Sequence, residues 1–191
     1  MKTSKVRTLI LLILLGGLSL ILLHRTWMRK TTISSPRLSV PSSALPSLEP
    51  KRSLRLFFAS PDEDSLREEI REIKIGRSLD EEAKIALAEL IKGPHSELLS
   101  PIPPGTRLRQ LYIDGQGIAY VDFSAELRDR HPGGSKAELL SVYCIVDTLA
   151  YNFEQIKRVK ILIDGSEVET LAGHIDLRRP LKPRMDFEST S

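Results

Sequence analysis

The fold of this chain is organised around the stretch Gly133-Gly134-Ser135-Lys136-Ala137-Glu138, which opens a long helix predicted to end near Phe153. Ser135 and Glu138 have the S-x-x-E spacing of a capping box, in which each side chain accepts a hydrogen bond from the other residue's backbone N–H. The two glycines permit the tight backbone that leads into such a cap. Apolar residues then recur at three- and four-residue steps, which indicates one buried face: Leu139, Val142, Tyr143, Val146, Leu149, Ala150 and Phe153.

A second, shorter helix is predicted upstream, beginning at the cap residue Ser78. Asp80 and Glu81 stand in its first turn, where negative charge interacts favourably with the helix dipole. Apolar residues at helical spacing follow, and Gly93-Pro94 is a typical stop signal. The pattern therefore predicts a helix that ends just before Gly93.

Six segments have the composition and alternation of strands: residues 54–59, 69–75, 106–114, 118–123, 159–163 and 168–171. The spacing in residues 69–75 also fits a helix, and we favour a strand because Gly76 ends the segment. Hairpin turns are predicted around Asp114-Gly115-Gln116-Gly117 and at Asp164-Gly165. The order ββαββαββ predicts an α+β two-layer sandwich, with one mixed or mostly antiparallel sheet and both helices on one face.

An uncharged apolar run occupies residues 9–23 and lacks the polar face of a water-soluble helix. Extended to residues 8–28, with Trp27 at interfacial depth, it predicts a transmembrane signal anchor. A cleaved signal peptide is the alternative, but no A-x-A-like site follows the run, and no cysteine follows for lipoprotein processing. Positive charges flank both ends, so the orientation, N-in and C-out, rests on the short cytoplasmic tail of residues 1–7 and the large domain after the span.

Residues 29–53 contain four prolines and seven serines, a composition that cannot bury a core and predicts a semi-extended linker. The folded domain is predicted to cover residues 54–181, and the tail of residues 182–191 is predicted to be disordered. A membrane anchor, a linker and one tethered domain therefore make up the predicted organisation.

The net charge of +3 comes from the N-terminal region rather than from the domain. Six of the 28 basic residues lie within the first thirty positions, which contain no acid, so 22 basic residues remain against 25 acidic ones. A nucleic-acid-binding domain carries its basic excess on its own surface. The mildly acidic remainder therefore argues against nucleic acid as a partner.

The sharpest catalytic or metal-binding hypothesis gathers His174, Asp176 and Asp122. The His-x-Asp spacing lacks the paired ligands of a zinc site, and the sequence assigns no further ligand. The favoured interpretation is a turn permitted by Gly173, in which the side chains of His174 and Asp176 form local hydrogen bonds. We therefore predict no metal site, no cofactor and no catalytic residue.

Other reactive side chains also have simple interpretations. Cys144, the single cysteine, falls inside the long helix and is predicted to be a buried thiol. Ser135 lacks the nucleophile elbow and the base of a hydrolase, and capping accounts for it. Three histidines are predicted to have neutral surface roles: His24, His95 and His131. An anion bound at residues 133–135 competes with the capping box, and the basic residues 178–184 are predicted to be solvated rather than bound to lipid or wall polymer.

Six short pieces of the chain together form a recognisable pattern. The pieces are Leu-Ile-Lys-Gly-Pro at 90–94, Ile-Pro-Pro-Gly-Thr at 102–106, Val-Asp-Phe-Ser at 121–124, Gly-Gly-Ser-Lys-Ala-Glu at 133–138, Leu-Ile-Asp-Gly at 162–165 and Gly-His-Ile-Asp at 173–176. In their order and spacing they resemble the GerMN domain family, which is named for a spore-germination protein and is found in bacterial envelope proteins. The resemblance covers residues 54–181.

The resemblance implies an exported, tethered interaction module rather than an enzyme, with a shape related to ring-building domains of the sporulation machinery. Some members accompany cell-wall amidase domains, which implies work related to peptidoglycan. This chain departs from the namesake because it has one such domain and a predicted transmembrane anchor in place of a lipobox cysteine.

We therefore predict a non-enzymatic, membrane-tethered module outside the cytoplasm that binds a protein partner in the cell envelope. Binding of peptidoglycan or another wall polymer is the alternative, and a hydrolase is the third hypothesis. A free sheet edge or an exposed apolar patch favours protein binding, whereas a groove lined by aromatics favours a polymer. Aromatic residues make up only 5% of the chain, which counts against such a groove.

Overall fold

Strands and helices alternate along residues 50–184, the part of the chain that the computed structural model describes. The elements are β1 (Lys51–Ala59), β2 (Leu66–Lys74), α1 (Leu79–Ile91), β3 (Leu108–Ile113), β4 (Ile118–Phe123), α2 (Glu126–Asp129), α3 (Ser135–Asn152), β5 (Arg158–Ile163) and β6 (Ser166–Glu167). The predicted α+β class is confirmed. The short helix α2 lies between β4 and α3, where the sequence pattern predicts no helix, so the order contains one helix more than expected.

The strands form two sheets in the described residues, so the prediction of one sheet is wrong. β1 and β2 form an antiparallel hairpin. The second sheet has the order β3-β4-β5-β6, in which β4 and β5 are parallel and the other neighbours are antiparallel. α3 packs against β1 of the first sheet and β5 of the second, and α1 packs against α3, β1 and β3. The helices therefore contact both sheets instead of lying on one face of a single sheet.

The contact of α3 with both sheets explains why its burial exceeds one stripe. Leu140, Cys144 and Ile145 are buried although they lie outside the predicted apolar face, whereas Leu139, which belongs to that face, is half-buried. Polar residues of the same helix are buried as well: Glu138, Ser141, Asp147 and Thr148. Buried polar groups need hydrogen-bond partners, and these four residues are where the structure departs most from the simple pattern.

The helix α1 follows its sequence signals closely. The Ser78 side chain accepts a hydrogen bond from Glu81 N at 3.2 Å, and the Glu81 carboxylate accepts one from Arg77 N at 2.8 Å. Gly93 follows the helix with a φ of 88°, the left-handed conformation that favours glycine. Both predicted ends of this helix are therefore confirmed.

Ser78→Ala is expected to lower the free energy of unfolding by about 1 kcal/mol, because the N–H of Glu81 loses its acceptor. Urea denaturation of the full-length chain measures this change. Ser78→Asn is the matched control, since asparagine keeps a side-chain oxygen that can accept from the Glu81 N–H and is about as good an N-cap as serine. Equal losses in the two variants would contradict a capping role for the hydroxyl.

The largest differences from the predicted strand boundaries occur at β1, β2 and β6. β1 begins at Lys51, so three positions assigned to the linker belong to this strand. β2 spans Leu66–Lys74, which confirms the strand but places its start three residues earlier than the predicted residue 69. The return strand expected at 168–171 is replaced by the two-residue β6.

The C-terminal part of the described chain is held to the second sheet by the first half of β5. Leu181 exchanges two backbone hydrogen bonds with Val159, each 2.8 Å long. The buried Lys160 side chain donates to the carbonyls of Leu177 and Arg178 at 3.2 and 2.7 Å. Residues 168–184 are therefore fixed in part by long-range polar contacts, which local sequence patterns do not report.

None of the helices within residues 50–184 has the length and apolar character that crossing a membrane requires. The anchor predicted for residues 8–28, most of the predicted linker and the end of the predicted tail lie outside the described residues.

Candidate functional site

The outer edge of β1, on the side away from β2, is closed by hydrogen bonds. Three of its residues are bonded there: Arg55, Phe57 and Ala59. The Asn152 side-chain amide accepts a hydrogen bond from Arg55 N at 2.9 Å and donates one to the Arg55 carbonyl at 2.6 Å. The Thr148 hydroxyl accepts a hydrogen bond from Phe57 N at 3.2 Å. Leu99 and Ala59 exchange two backbone hydrogen bonds of 2.9 Å. The end of α3 thus occupies the place of a neighbouring strand.

The outer edge of β2 has no such partner among residues 50–184. Arg55 stands opposite Ile70 in the hairpin register, and the backbone groups of Arg55 point away from β2. In an antiparallel pair, two directly opposite residues either both bond to each other or both point their N–H and C=O groups away from the partner strand. Because Arg55 points its groups away from β2, Ile70 points its groups away from β1. The alternation gives Glu68 and Glu72 the same orientation. The hairpin therefore presents one unpaired strand edge to its surroundings.

The three residues of the metal hypothesis do not meet. The Asp122 carboxylate accepts from Gly165 N at 2.7 Å and forms an ion pair with Arg109 at 3.5 Å. Asp176 accepts from the backbone and side chain of Arg178, which is a local turn contact. His174 contacts neither aspartate and pairs instead with a glutamate of α3. Within residues 50–184 no cluster of three His, Cys, Asp or Glu side chains could hold a metal ion.

The capping box at Ser135 and Glu138 is not formed, so this prediction is wrong. α3 begins at Ser135, and its cap is Gly134, which has a φ of 85° and no capping side chain. The Glu138 carboxylate turns away from the helix start and accepts from the backbone N–H of Leu171, Ala172 and His174 at 2.8 to 2.9 Å. We call residues 171–174 together with this carboxylate the Glu138 anchor.

The Glu138 anchor satisfies a fully buried carboxylate. Burial alone would raise the pKa of Glu138, but the backbone N–H donors, those of Ala172 and His174 first, hold the pKa below its ordinary value. The His174 ring adds a contact between Nδ1 and the carboxylate at 3.1 Å. The carboxylate therefore stays ionised and has no free lone pair directed at solvent, which suits a structural role.

A serine and a histidine lie in contact at Ser141 and His131, with 3.1 Å between the hydroxyl oxygen and Nε2. Nδ1 of His131 accepts a hydrogen bond from Gly133 N, so in the neutral ring the proton lies on Nε2. Nε2 then donates to the Ser141 hydroxyl, which donates to the carbonyl of Pro101 at 2.6 Å. In this arrangement His131 has no acceptor nitrogen for the hydroxyl proton, and Ser141 is buried. The pair ties the Gly133 turn to α3 instead of forming a nucleophile and base.

The same contacts change two sequence expectations. His131 is partly buried and bonded at both ring nitrogens rather than a free surface side chain, and burial is the main reason why its pKa lies below the ordinary value. Gly133 N donates to the His131 ring, which leaves one donor fewer for an anion at residues 133–135, the alternative weighed from the sequence. Cys144 is fully buried, as predicted, and burial raises the pKa of its thiol well above the ordinary value. A protonated, enclosed thiol is unreactive.

Asp147 is a buried carboxyl that the sequence analysis did not single out. Its Oδ1 accepts from Arg184 N at 3.0 Å, and its Oδ2 has no hydrogen-bond partner in the described residues. Burial raises the pKa of Asp147 to about 7, against the opposing effects of the Arg184 N–H and charge. Arg184 is further held by Tyr151, whose hydroxyl donates to its carbonyl at 3.0 Å, and by Tyr143, whose ring centre lies 5.4 Å from the guanidinium carbon. The sequence contains one signal for this buried carboxyl: Asp147 lies four residues after Tyr143 and therefore on the same side of the helix.

A cleft of about 430 Å³ lies between the start of β1, the start of α1 and the end of α3. Arg52 crosses it, pairs with Glu82, donates to the carbonyl of Asn152 at 2.8 Å and lies over the ring of Phe153. The Arg52 and Glu82 side chains that line the cleft are thus bonded to each other. No pair of free carboxylates or histidines converges there.

The sequence and the fold of this chain are similar to those of known proteins. A family model described as "Germane: Sporulation and spore germination" matches residues 55–169. A candidate lipoprotein from Clostridium perfringens has a similar structure, with a TM-score of 0.51 and 25% identity, over 71% of this chain and 89% of that one. The tandem GerMN domains of the sporulation protein GerM from Bacillus subtilis match with a TM-score of 0.53 and 18% identity, over 70% of this chain and 46% of theirs, and so share the fold. No protein of curated function matches this chain in sequence.

Proposed function

Since the chain belongs to the Germane family of sporulation and spore germination domains, we propose that it is a non-enzymatic, membrane-tethered module that binds another protein in the bacterial cell envelope. The unpaired outer edge of β2 is the observation that carries this proposal. An open strand edge offers a row of backbone donors and acceptors to another chain. Ile70 and Ile75, on and just after this strand, are exposed apolar side chains beside the edge.

The placement outside the cytoplasm has two supports. The predicted anchor of residues 8–28 would hold the domain close to a bilayer. The structural relative from Clostridium perfringens is described as a candidate lipoprotein, a class that lipid holds at a membrane surface. In this proposal the two proteins reach a similar position by different anchors.

Chemical crosslinking in intact cells, followed by purification of the full-length chain, tests the proposal. A variant lacking residues 54–181 is the control, because it keeps the predicted anchor and linker. We expect a defined envelope protein to be captured by the full-length chain and lost with the deletion. Recovery of the same proteins from both chains would contradict binding by the domain.

One observation favours wall-polymer binding as a second hypothesis. Tyr112 and Tyr120 are neighbours across β3 and β4, with ring centres 6.5 Å apart, and Tyr112 is 61% exposed. A stacked pair on a sheet face, in which Tyr112 is exposed and Tyr120 is half-buried, can pack against a sugar ring. The pair alone is a small platform, since such cross-strand pairs also stabilise ordinary sheets.

Tyr112→Ala separates the two hypotheses. A polymer platform predicts that this change lowers the affinity for purified peptidoglycan about fivefold, since an aromatic contact contributes about 1 kcal/mol. The protein-binding proposal predicts that sedimentation with peptidoglycan does not depend on Tyr112. A cosedimentation assay with wild-type and variant full-length chains decides between these outcomes.

A further inference from the structure

The hairpin treats its two edges differently, although β1 and β2 are equally long. The outer edge of β1 is bonded by Asn152, Thr148 and Leu99, whereas the outer edge of β2 is unpaired within residues 50–184. We propose that an extended segment of a partner protein adds to β2 as a further strand, with a basic residue, an apolar residue and a basic residue at alternate positions. This inference rests on the proposed function, and it names the surface and the chemistry of the partner.

The backbone of β2 is suited to strand addition over its central part. β1 and β2 keep one register along all of β2, without a bulge that would twist the edge away. The outward backbone groups belong to Glu68, Ile70 and Glu72, and the described residues supply no partner for them. β2 contains no proline, so each of these residues has a free N–H donor as well as a carbonyl acceptor.

The side chains beside this edge define what the partner strand needs. Ile70 is 64% exposed on the outer face of the hairpin, and Glu68 and Glu72 lie two residues to either side on the same face. A strand added to β2 places alternate residues beside these three side chains. An apolar residue beside Ile70 removes apolar surface from water, and basic residues beside the glutamates supply opposite charge. The basic–apolar–basic pattern is symmetric, so it matches β2 whether the partner strand is parallel or antiparallel to it.

The two glutamates remain available although each already has a basic neighbour on β1. The distances are 3.7 Å from Glu68 to Arg55 and 3.4 Å from Glu72 to Lys51, and all four side chains are well exposed. Exposed ion pairs of this kind contribute little and exchange readily with other partners. A second cation beside either glutamate therefore joins the pair without breaking a buried contact.

Charge also argues against a second copy of this chain as the occupant. Antiparallel pairing of two β2 strands centred on Ile70 places Glu68 of one copy opposite Glu72 of the other. Like charges directly opposite one another in a sheet are destabilising. The edge is therefore poorly matched to itself and better matched to a basic strand, which favours a different protein as the partner.

Binding of synthetic peptides to the full-length chain in detergent tests this inference. The basic probe is Thr-Lys-Val-Ile-Val-Lys-Thr, and the matched acidic probe has Glu in place of both Lys. We expect the basic peptide to bind more tightly and to slow amide hydrogen exchange at Glu68, Ile70 and Glu72. Equal binding of the two peptides, or protection of these amides before any peptide is added, would overturn the inference.

Two sets of variants test the mechanism. Ile70→Pro removes an N–H that takes no part in the β1–β2 ladder, so the hairpin bonds remain while affinity for the basic peptide falls about tenfold or more. Ile70→Thr is the control, since it removes apolar surface but keeps the N–H and reduces affinity less.

The double variant Glu68→Lys, Glu72→Lys is expected to prefer the acidic peptide. Unchanged preference in the double variant would exclude the charge pattern.

The same variants separate this inference from the proposed function. If full-length chain carrying Ile70→Pro still captures the envelope protein that depends on residues 54–181, the β2 edge is not the docking surface, and the proposed function stands. If the deletion of residues 54–181 itself leaves capture unchanged, the proposed function fails first.

Discussion

Replacing Glu138 by alanine is expected to lower the free energy of unfolding by about 3–5 kcal/mol, one of the two largest effects of a single substitution that we predict. The Glu138 carboxylate is fully buried and accepts three backbone hydrogen bonds from residues 171–174. Alanine leaves these donors without an acceptor and opens a cavity beside Leu171, which is itself buried. Urea denaturation of the full-length chain near neutral pH measures the change.

Ser135→Ala is the matched control, because it tests the alternative role of the same sequence motif. A capping box predicts a loss of about 1 kcal/mol on removing the serine hydroxyl. In the structure no side chain caps α3, so we expect a change below about 0.5 kcal/mol. A large loss from Ser135→Ala together with a small one from Glu138→Ala would restore the capping box and contradict the Glu138 anchor.

Asp147→Asn is expected to stabilise the chain by about 2 kcal/mol at pH 8 and to have almost no effect at pH 4. Burial raises the pKa of Asp147 to about 7 in the folded state, from an ordinary value of 3.8. The folded state therefore holds the proton more tightly than the unfolded state. Stability from this group is fully present below pH 4, decreases as the pH rises from 4 to 7, and is absent above pH 7.

Asparagine removes this alkaline loss because it stays neutral at every pH. Its carbonyl can still accept from Arg184 N, but its amide group meets the same lack of partners as Oδ2, which reduces the gain below the full effect of the pKa shift. Denaturation of wild type and variant at matched pH values gives the difference directly. A gain that is equal at pH 4 and pH 8, or a loss at pH 8, would contradict a carboxylate whose ionised form is destabilised by burial.

His131 contributes a pH dependence of opposite sign in the wild-type chain. Its pKa lies below the ordinary value of 6.5, so its stabilising contribution is present above pH 6.5 and decreases as the pH falls through the folded-state pKa. The protonated ring can no longer accept the hydrogen bond from Gly133 N. The comparison of Asp147→Asn with wild type at each pH removes this contribution, because His131 is present in both chains.

Features decided by local sequence were predictable. The ends of α1 depend on Ser78 and Gly93, and the hairpin at Asp164-Gly165 depends on two positive φ angles, 49° and 77°. Each feature is determined within a few residues, where capping and turn chemistry act. The strand β2 was predictable for the same reason, because Gly76 follows it closely.

Features decided by distant contacts were not predictable. Glu138 has the right spacing to cap its own helix, but the donors that it meets lie more than thirty residues later along the chain. Asn152 and Thr148 replace a strand beside β1, so nothing in the strand pattern shows that the sheet divides into two. The unusual position of Asp147 could have been recognised from the sequence, since a carboxyl within an otherwise apolar helix face needs an explanation.

Photocrosslinking in living cells at single positions tests the central claim most directly, that this domain works by binding a protein at the outer edge of β2. One chain carries a photoreactive amino acid in place of Ile70, and its control carries the same group in place of Tyr112, which is about equally exposed on the other sheet. We predict a discrete protein adduct from position 70 and none from position 112. Adducts from position 112 alone, or adducts with peptidoglycan fragments in place of a protein, would contradict the account.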